Sequence, residues 1–282
     1  MILIVDSGST KSDWIALDKD KNKVFKTRTA GLNPALLSAG ELRKRITTND
    51  ELLKYAGQIK SLYFYGAGCG TLKPAQKLKN ILQQIFEFAE ITVAEDMLAA
   101  VYAASGGAEA IVCILGTGSN SCYYDGKQMY KNVDSLGYVL MDEASGNYFG
   151  KKLIVDYYYH RMPLHLALDF EKKFELAADE IKKNLYQKES PNAYLGQFAG
   201  FMFDHKNDKY IKDMLRNGFR EFIQNRVLPY EKSQQIPVYF IGSIAYFFKD
   251  ILMTIAKEYN LNIANIIRHP IDRLILFHQT KM

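Results

Sequence analysis

The sequence predicts an α/β fold in which one structural unit is present twice. Short apolar segments typical of β-strands alternate along the chain with segments that have the apolar spacing of amphipathic helices. A strand, a glycine-rich turn and a β-hairpin open the chain, and the same arrangement recurs from residue 110. Because such recurrence indicates duplication, we expect two related domains joined near residues 104–107, whose sequence is Ala-Ser-Gly-Gly.

The first copy begins with a buried strand at residues 2–5, followed by the polar sequence DSGSTKSDW. Alternation of apolar and polar residues on both sides of residues 18–23 predicts a β-hairpin with its tip at that polar segment. The rest of this copy alternates between the two element types. We expect helices over residues 41–55, 75–88 and 97–104 and strands over residues 61–68 and 90–96.

The second copy begins with the apolar strand 110–115, followed by GTGSNSCYYD and by an Asp125-Gly126 turn. An Asp-Gly pair between alternating runs is a strong hairpin signal. Residues 187–209 are rich in Asn, Gly and Pro, which favours a flexible or lid-like segment. The other predicted elements are helices over residues 145–159, 171–183, 210–226, 244–259 and 272–278, and a strand in PVYFIGS at residues 237–243.

Composition narrows the functional class. The 282 residues are 48% hydrophobic and 24% charged, as in an ordinary soluble globular protein. The net charge of +5 is not concentrated in a Lys/Arg stripe, so we expect no nucleic-acid partner. Neither a signal-peptide pattern nor an apolar stretch of about 18 residues is present, which predicts no membrane partner. Cys69, Cys113 and Cys122 form no CxxC pair, and we expect a reducing, cytoplasmic location.

The turn after the first strand, from Asp6 to Lys11, has the residue types of a phosphate site. Glycine allows a turn to approach phosphate closely, hydroxyls and backbone N–H groups donate to its oxygens, and an acid can hold Mg²⁺. This turn is not a Walker A loop, because a strand rather than a helix follows it. A plain polar β-turn is the better explanation when this hexapeptide is considered alone.

Two later turns have a similar design. Residues 116–120, Gly-Thr-Gly-Ser-Asn, follow a more apolar strand, and FIGSIA at residues 240–245 takes a strand into a glycine and then a helix. A helix N-terminus with bare backbone beside it can face adenosine or phosphate. Simple strand–helix packing explains FIGSIA alone. Three such turns, each behind an apolar strand, together indicate a nucleotide site.

The motifs DSGSTKSDW, ILGTGSNS and MDEASG resemble those of the acetate and sugar kinase, Hsc70 and actin superfamily. More narrowly, the chain resembles the N-acetylglucosamine kinase branch, in the group also labelled BadF/BadG/BcrA/BcrD ATPases. The resemblance implies two RNase H-like (actin-like ATPase) domains with the active site in the cleft between them, which binds ATP and sugar. The implied domains are residues 1–104 with 266–282, and residues 105–265.

The resemblance also implies the catalytic and nucleotide-binding residues. Asp96, between a short strand and a helix, matches the catalytic aspartate and would act as general base; the alternative is that it only caps the helix. Asp6 would hold Mg²⁺, through water. Glu95 is the rival candidate for the catalytic role, and its favoured role is that of a neighbour of Asp96. The ATP-binding residues would be Ser9, Thr10 and Lys11 near the transferred phosphate, Gly116, Thr117, Gly118 and Ser119 around the other phosphates, and Gly242 and Ser243 at the adenosine.

The substrate-binding residues implied by the resemblance are Asn33, Asn120, Gly137 and Asp142. A turn at Asn33 and a helix cap at Asp142 are the alternatives for those two residues. Other N-acetylglucosamine kinases have roughly Gly-Gly-Trp-Gly before the Asp-Glu pair, whereas this chain has DSLGYVLMDE, in which Gly137 survives. Because that segment lines the sugar pocket in the family, the substrate could be N-acetylglucosamine or N-acetylmuramate.

Three functions are compatible with these motifs. The first is an ATP-dependent kinase that phosphorylates the 6-hydroxyl of an N-acetylated amino sugar, with ATP and Mg²⁺ as cofactors. The second is an ATPase that activates a 2-hydroxyacyl-CoA dehydratase through an iron–sulfur cluster, for which Cys69 would be the ligand; a buried structural thiol explains Cys69 equally well. The third is a non-catalytic sugar or nucleotide sensor. The first is favoured because Asp96 is retained, and the resemblance is compatible with a homodimer.

Overall fold

The computed structural model describes residues 1–8 and 10–281, and for Lys281 the backbone alone. The chain divides into two compact units. Unit 1 comprises Met1–Ala103 with Pro270–Met282, and unit 2 comprises Ala104–His269. Each unit contains one five-stranded mixed sheet with helices packed against it.

The sheet of unit 1 has the strand order β3-β2-β1-β4-β5. The first three strands form the predicted antiparallel meander, and β1, β4 and β5 run parallel to one another. The alternating pattern on both sides of the polar tip therefore forms a hairpin, as predicted. The strands are β1 (Ile2–Ser7), β2 (Lys11–Leu17), β3 (Lys23–Ala30), β4 (Ser61–Gly66) and β5 (Glu90–Glu95).

In the described part of unit 1, two α-helices lie between β3 and β4, one lies between β4 and β5, and one follows β5 and leads into unit 2. They are α1 (Ala39–Thr47), α2 (Asp50–Tyr55), α3 (Leu72–Ile85) and α4 (Asp96–Ser105). The helix predicted over residues 41–55 is thus two helices. The reason is local: the Asn49 side chain accepts a hydrogen bond from the backbone N–H of Leu52 and starts a new helix.

Unit 1 is apolar on both faces of its sheet, because successive residues of a strand point to opposite sides. Leu3 and Val5 of β1 lie in one core cluster together with Trp14, which is fully buried. Ile4, between them, lies in a second cluster with residues of α4 and of the C-terminal helix. The strand at residues 2–5 is therefore buried on both faces, which explains its uninterrupted apolar sequence.

The sheet of unit 2 repeats the topology of unit 1. Its strands are β6 (Ala110–Leu115), β7 (Ser119–Tyr124), β8 (Met129–Tyr130), β9 (Val238–Ile241) and β10 (Ile263–Ile267), in the order β10-β9-β6-β7-β8. The first three form an antiparallel meander, and β6, β9 and β10 are parallel. Two sheets with the same order and directions confirm the predicted duplicated α/β fold.

The α-helices after α4 in the described part of the chain follow in sequence order. They are α5 (Gly146–Tyr158), α6 (Leu164–Lys173), α7 (Ala178–Tyr186), α8 (Pro191–Phe198), α9 (Gly200–Asp204), α10 (Lys209–Phe222), α11 (Ser243–Phe247), α12 (Lys249–Glu258) and α13 (Ile271–Lys281). The last returns to unit 1 and contributes Ile271 and Leu274 to its second core cluster. Within the described residues, no helix has both the length and the apolar character needed to span a membrane.

One loop prediction and two helix predictions in unit 2 were wrong. Residues 187–209 form the packed helices α8 and α9 rather than a lid, and Phe198 and Phe201 are buried in the core. Proline and glycine in this segment favoured the loop prediction. Pro191, however, lies in the first turn of α8, where proline is compatible with a helix, and Gly196 allows α8 to pack closely against Thr117. The helix predicted over residues 171–183 is two helices, α6 and α7, and the one over 244–259 is also two, α11 and α12.

Candidate functional site

The site residues of unit 1 lie at the carboxyl edge of its parallel strands. Asp6 of β1 pairs with Tyr65 of β4, and the next pair is Ser7 with Gly66. Gly66 in turn pairs with Glu95, the last residue of β5, and α4 begins at the following residue, Asp96. Because parallel strands end at the same edge of a sheet, the first glycine turn and Asp96 share this edge.

The charges at this edge are predominantly negative. Burial, and next the charges of Asp96 and Asp13, raise the pKa of the Asp6 carboxyl to about 7, while Lys11 opposes this effect. A carboxylate is destabilised in this way when it is desolvated beside other carboxylates, and a bound cation would remove the penalty. These residues therefore fit a divalent cation such as Mg²⁺, for which carboxylate oxygens are the ordinary protein ligands.

Lys11 is held near the first turn by an ion pair. Its Nζ lies 3.1 Å from Oδ2 of Asp13, and the Nε of Arg28 donates to Oδ1 of Asp13 at 2.7 Å. Burial acts to raise the pKa of Asp13, but the hydrogen bonds from Arg28 and Lys11 outweigh it and hold this pKa below its usual value. Asp13 is therefore a charged anchor for the lysine.

The turn that follows β1 closes on itself and on the end of β3. The N–H of Gly8 donates to the carbonyl of Lys11 at 2.9 Å, and the N–H of Gly31 donates to that of Thr10 at 3.0 Å. Ser9, the first residue predicted to bind ATP, lies outside the described residues. Thr10 immediately precedes β2, which begins at Lys11, so that a strand rather than a Walker A helix follows the turn.

Asn33 reaches the same edge through the segment after β3. Its side chain lies so close to the backbone of Gly68 that a Cβ there would be 2.0 Å from Oδ1. The backbone N–H of Ala35 donates to Oδ1 of Asn33 at 3.0 Å, so the turn considered as an alternative is also present. The N–H of Leu32 donates to the hydroxyl of Ser7 at 3.2 Å, and this contact ties the segment to β1.

Cys69, in the turn after β4, is a buried thiol with no features of a metal ligand. Burial, and next the charges of Asp96 and Glu95, raise its pKa to about 12. Metals and electrophiles react with the thiolate, which this environment disfavours. Among the described residues, no group of three or more His, Cys, Asp or Glu side chains could hold a metal ion together.

In unit 2, the turn between β6 and β7 is held by the start of α5. The N–H of Gly146 donates to the carbonyl of Gly116 at 2.8 Å, and the N–H of Asn147 donates to that of Thr117 at 2.9 Å. Within the turn, the N–H of Gly116 donates to the carbonyl of Gly118 at 3.0 Å. The turn is therefore fixed before any ligand binds.

Ser119 closes this turn and begins β7. Its side chain is buried, and its Oγ has no hydrogen-bond partner in the part of the chain that the structure describes. Leaving a buried hydroxyl unsatisfied costs about 1–3 kcal/mol, which a ligand oxygen could recover. The chemistry of this turn thus suits an oxygen-rich ligand such as phosphate.

The third glycine turn packs directly against the second. Gly242 has φ +117° and ψ 166°, a conformation that is essentially restricted to glycine. Its N–H donates to the carbonyl of Ile267 at 2.9 Å, and Ser243 begins the short helix α11. A Cβ at Gly242 would lie 2.3 Å from the carbonyl oxygen of Leu115. The structure therefore brings Gly242 and Ser243 next to the 116–118 turn.

Asp142 lies on the other side of this turn. It is buried with φ +67°, and a Cβ at Gly118 would lie 2.8 Å from its Oδ2. The Nδ2 of Asn147 donates to Oδ2 of Asp142 at 2.8 Å, and the backbone N–H of Ser119 also donates to this carboxylate. Burial raises the pKa of Asp142, although these hydrogen bonds and the charge of Arg226 act to lower it.

The alternative interpretation of Asp142 as a helix cap is wrong. Ser145 is the N-cap of α5, and its side chain accepts a hydrogen bond from the backbone N–H of Tyr148. The carbonyl of Asp142 accepts from the N–H of Ser145 at 3.1 Å, so Asp142 precedes the cap. Its carboxylate lies against the glycine turn, at Gly118.

The other two residues predicted to bind the sugar have different surroundings. Asn120 is half-buried on β7, and its Oδ1 accepts from the N–H of Ser121 at 2.9 Å. Gly137 has φ +80° and closes a turn in which its carbonyl accepts from the N–H of Met141 at 2.9 Å. Gly137 thus shapes the segment before Asp142.

Sequence reasoning missed Asn147 and Arg226. Asn147 orients Asp142 through its amide, and it follows MDEAS in the sequence without any distinguishing pattern. Arg226 is buried, and a signal for it was present. It lies four residues after the core residue Phe222, where the apolar period of α10 requires another apolar side chain. A charge at such a position indicates a buried ion pair.

Three solved structures are similar to the chain. A candidate N-acetylglucosamine kinase from Porphyromonas gingivalis has 35% sequence identity and a TM-score of 0.90, with 99% of both chains covered. A candidate N-acetylglucosamine kinase from Chromobacterium violaceum has 16% identity and a TM-score of 0.72, with 98% of both chains covered. A ROK family glucokinase from Streptomyces griseus, in complex with glucose and AMPPNP, has 12% identity and a TM-score of 0.59, with 99% of this chain and 98% of that chain covered.

No protein family model and no curated protein matches the chain. The two more distant structures establish the fold, and they agree with the repeated sheet topology described above. The similarity to the Porphyromonas gingivalis protein covers nearly all of both chains at an identity that establishes membership of its family. The chain belongs to the N-acetylglucosamine kinase-like family of carbohydrate kinases.

Proposed function

We propose that this protein transfers the γ-phosphoryl group of ATP to the 6-hydroxyl of an N-acetylated amino sugar, either N-acetylglucosamine or N-acetylmuramate. The observation that carries the proposal is the carboxylate edge of unit 1. Asp6 lies near the end of β1, beside the strand pair that leads to Asp96, and burial, with next the charge of Asp96, raises the pKa of the Asp6 carboxyl to about 7. A cation-binding carboxylate beside a second carboxylate is the arrangement that phosphoryl transfer to an alcohol requires.

In this mechanism, Asp96 accepts the proton of the sugar hydroxyl as the oxygen attacks the γ-phosphorus. The bond from the γ-phosphorus to the bridging oxygen of ADP breaks, and the products are the sugar phosphate, ADP and one proton. Asp6 would hold Mg²⁺, which neutralises charge on the phosphates when it is bound. Lys11, held by Asp13, supplies a second positive charge for the transferred group.

The turns of unit 2 would bind the remaining parts of both substrates. Ser119 has a hydroxyl to offer a phosphate, and the glycines beside it let backbone N–H groups approach. Asp142, already oriented by Asn147, would accept hydrogen bonds from sugar hydroxyls. In unit 1, Asn33 would donate a hydrogen bond from its amide N–H to the sugar, since its Oδ1 already accepts from the backbone N–H of Ala35.

The choice between the two sugars depends on the segment before Asp142. It carries three exposed apolar residues, Leu136, Val139 and Leu140, in place of the glycine-rich sequence of other family members. Because this segment differs from that of other family members, the space available for a substituent on the sugar would differ as well. The lactyl ether of N-acetylmuramate adds a carboxylate, which the net charge of +5 does not oppose.

The test is an ADP-release assay with five acceptors: N-acetylglucosamine, N-acetylmuramate, N-acetylmannosamine, glucosamine and glucose. We expect sugar-dependent ADP release with one of the first two and weak or no release with glucosamine and glucose. Product analysis should find the phosphate on the 6-oxygen. Equal turnover of glucose would contradict the N-acetyl requirement, and no turnover with any acceptor would contradict the proposed activity.

A further inference from the structure

Arg226 lies on a π-helical turn that interrupts the regular end of α10. This turn, Ile223–Val227, follows α10 directly, and the N–H of Leu228 donates to the carbonyl of Ile223 at 2.9 Å. Such turns displace the following side chains around the helix and are frequent at functional positions. Here the displacement places an arginine in the interior, with 2% of its surface exposed.

The guanidinium of Arg226 holds the segment that precedes Asp142 at three points. Its Nη1 donates to the carbonyl of Val133 at 3.2 Å, its Nη2 lies 3.2 Å from Sδ of Met141, and its Nε lies 3.5 Å from Oε2 of Glu143. Arginine suits this role because its planar fork presents several donors in fixed directions. One side chain thus fixes both ends of a segment with exposed apolar residues.

The backbone of Arg226 connects the same residue to the glycine turn. Its carbonyl accepts from the hydroxyl of Ser121 at 2.6 Å, and Ser121 follows Ser119 by two residues on β7. The positions of the phosphate-type turn and of the 133–143 segment are therefore set by one residue. Burial raises the pKa of the Asp142 carboxyl, and the positive charge of Arg226 is one of the smaller effects that oppose this rise.

The segment needs such support because its backbone is strained. Asp142 has φ +67° and Ala144 has φ +57°, and both conformations are uncommon for residues other than glycine. Glu143, between them, pairs with Arg226 and with Asn225, whose Nδ2 donates to it at 3.4 Å. Strained residues persist only where surrounding contacts hold them.

We propose that Arg226 is a positioning residue that holds Asp142 in the orientation required to bind the sugar. Its guanidinium acts through Glu143, Met141 and Val133, and it does not itself contact the substrate. This inference rests on the proposed function, because it assigns the effect of Arg226 to sugar binding. It predicts that losing these contacts weakens sugar binding selectively, with little effect on nucleotide binding.

The test compares the KM for the sugar, the KM for ATP and kcat among the wild type, Arg226→Lys, Arg226→Met and Glu143→Gln. We expect Arg226→Met to raise the KM for the sugar about 10- to 100-fold, the scale of misplaced binding groups, with the KM for ATP nearly unchanged. Arg226→Lys keeps the charge without the fork and should be intermediate. Glu143→Gln retains Arg226 and should shift the same parameter if Arg226→Met does not fold.

The matched control is Arg220→Met, on α10 just before the π-helical turn. Arg220 pairs with Glu258 at 3.0 Å on the surface, so its loss should leave all three parameters near wild type. A purely structural role of Arg226 would lower kcat through the loss of folded protein and leave the KM for the sugar unchanged, which would overturn this inference alone. A wild-type protein without sugar-dependent ADP release would overturn the proposed function and, with it, this inference.

Discussion

Gly242 lies against Leu115, so that a Cβ at Gly242 would be 2.3 Å from the Leu115 carbonyl oxygen. This contact joins the turn after β9 to the end of β6, and the neighbouring backbone N–H of Gly116 would lie 3.1 Å from the same Cβ. Both atoms belong to the main chain, so neither can move away as a flexible side chain would. The spatial relationship of the second and third glycine turns therefore depends on the absence of a side chain at residue 242.

The first prediction is that Gly242→Ala lowers the free energy of unfolding by about 3 kcal/mol or more, since backbone strain and a main-chain clash add. Urea denaturation measures this change. Gly106→Ala is the matched control, because Gly106 also has positive φ, at +63°, but no atom of the described residues beyond its two chain neighbours lies within 4 Å of its Cβ position. It should cost about 1–2 kcal/mol. Equal losses in the two variants would contradict the close contact at Leu115.

The second prediction concerns the pH dependence of nucleotide binding. With a pKa of about 7, Asp6 is mainly protonated at pH 6 and mainly ionised at pH 8. Because Mg²⁺ requires the ionised form, Mg·ADP should bind more tightly as the pH rises, by about tenfold per pH unit below pH 7, and level off above it. Titration calorimetry should also detect proton release on binding.

Asp6→Asn is the control for this measurement. The phosphates of the nucleotide also titrate, and this effect is the same for both proteins. Only the wild type should show a further loss of affinity for Mg·ADP below pH 7. The asparagine variant should bind Mg·ADP weakly at every pH. If both proteins gave the same pH profile, the assignment of Asp6 to the cation would be wrong.

The third prediction concerns acid stability and His278 of α13. Its imidazole is buried, lies 3.0 Å from the hydroxyl of Tyr65, and has a pKa that burial lowers from 6.5 to about 4. Between these two values the unfolded chain binds a proton that the folded chain refuses, so stability falls as the pH drops from about 6.5 to about 4. Allowing for solvent screening, we expect a loss of about 2 kcal/mol.

His278→Gln should remove this part of the acid sensitivity. At pH 7.5 the variant should be less stable than the wild type, because it loses packing against Tyr63 and Tyr65. The difference between the two proteins should then shrink as the pH falls to 4. A difference that stays constant between pH 7.5 and pH 4 would show that His278 takes up its proton equally in the folded and unfolded chains.

The fourth prediction separates sugar binding from nucleotide binding at Asp142. Asp142→Ala removes a carboxylate that would accept hydrogen bonds from the sugar, and each such bond to a charged group contributes about 1.5–3 kcal/mol. We expect the KM for the sugar to rise on the order of 10- to 100-fold, and the KM for ATP to change little. Asn132→Ala, which lies on the surface with its amide bonded to the carbonyl of Pro229, serves as the control. An unchanged KM for the sugar in Asp142→Ala would exclude the role assigned to it.

The elements that the sequence predicted well are those with local signals. The hairpin of unit 1 follows from alternation around residues 18–23, and the hairpin of unit 2 from the Asp125-Gly126 turn. The strand β10 carried no such signal, because Asn265 interrupts its apolar run and the pairing with β9 shifts register at this point. Its strand conformation depends on pairing with β9, which begins at Val238 and is distant in the sequence.

The candidate site likewise combines residues with a local sequence signal and residues whose contacts depend on distant parts of the chain. Asp6, Asp96 and the glycine turns could be chosen from the sequence because each lies at the end of an apolar strand or in the turn that directly follows one. The support around Asp142 could be predicted only in part: the charge at the apolar position 226 indicated a buried ion pair, but its partners lie more than eighty positions away in the chain. Hydrogen bonds of this kind depend on the packing of α10, which the pattern of one helix does not determine.

The measurement that tests the account most directly is kcat of Asp96→Asn with the preferred sugar, alongside the affinity of the variant for ATP. A general base contributes about 10²–10⁴-fold, so we expect kcat to fall by this factor while ATP still binds. Glu95→Gln, which changes the adjacent carboxylate, should retain most of the activity. Near-normal kcat in Asp96→Asn would contradict the central claim that this carboxylate accepts the proton of the sugar hydroxyl.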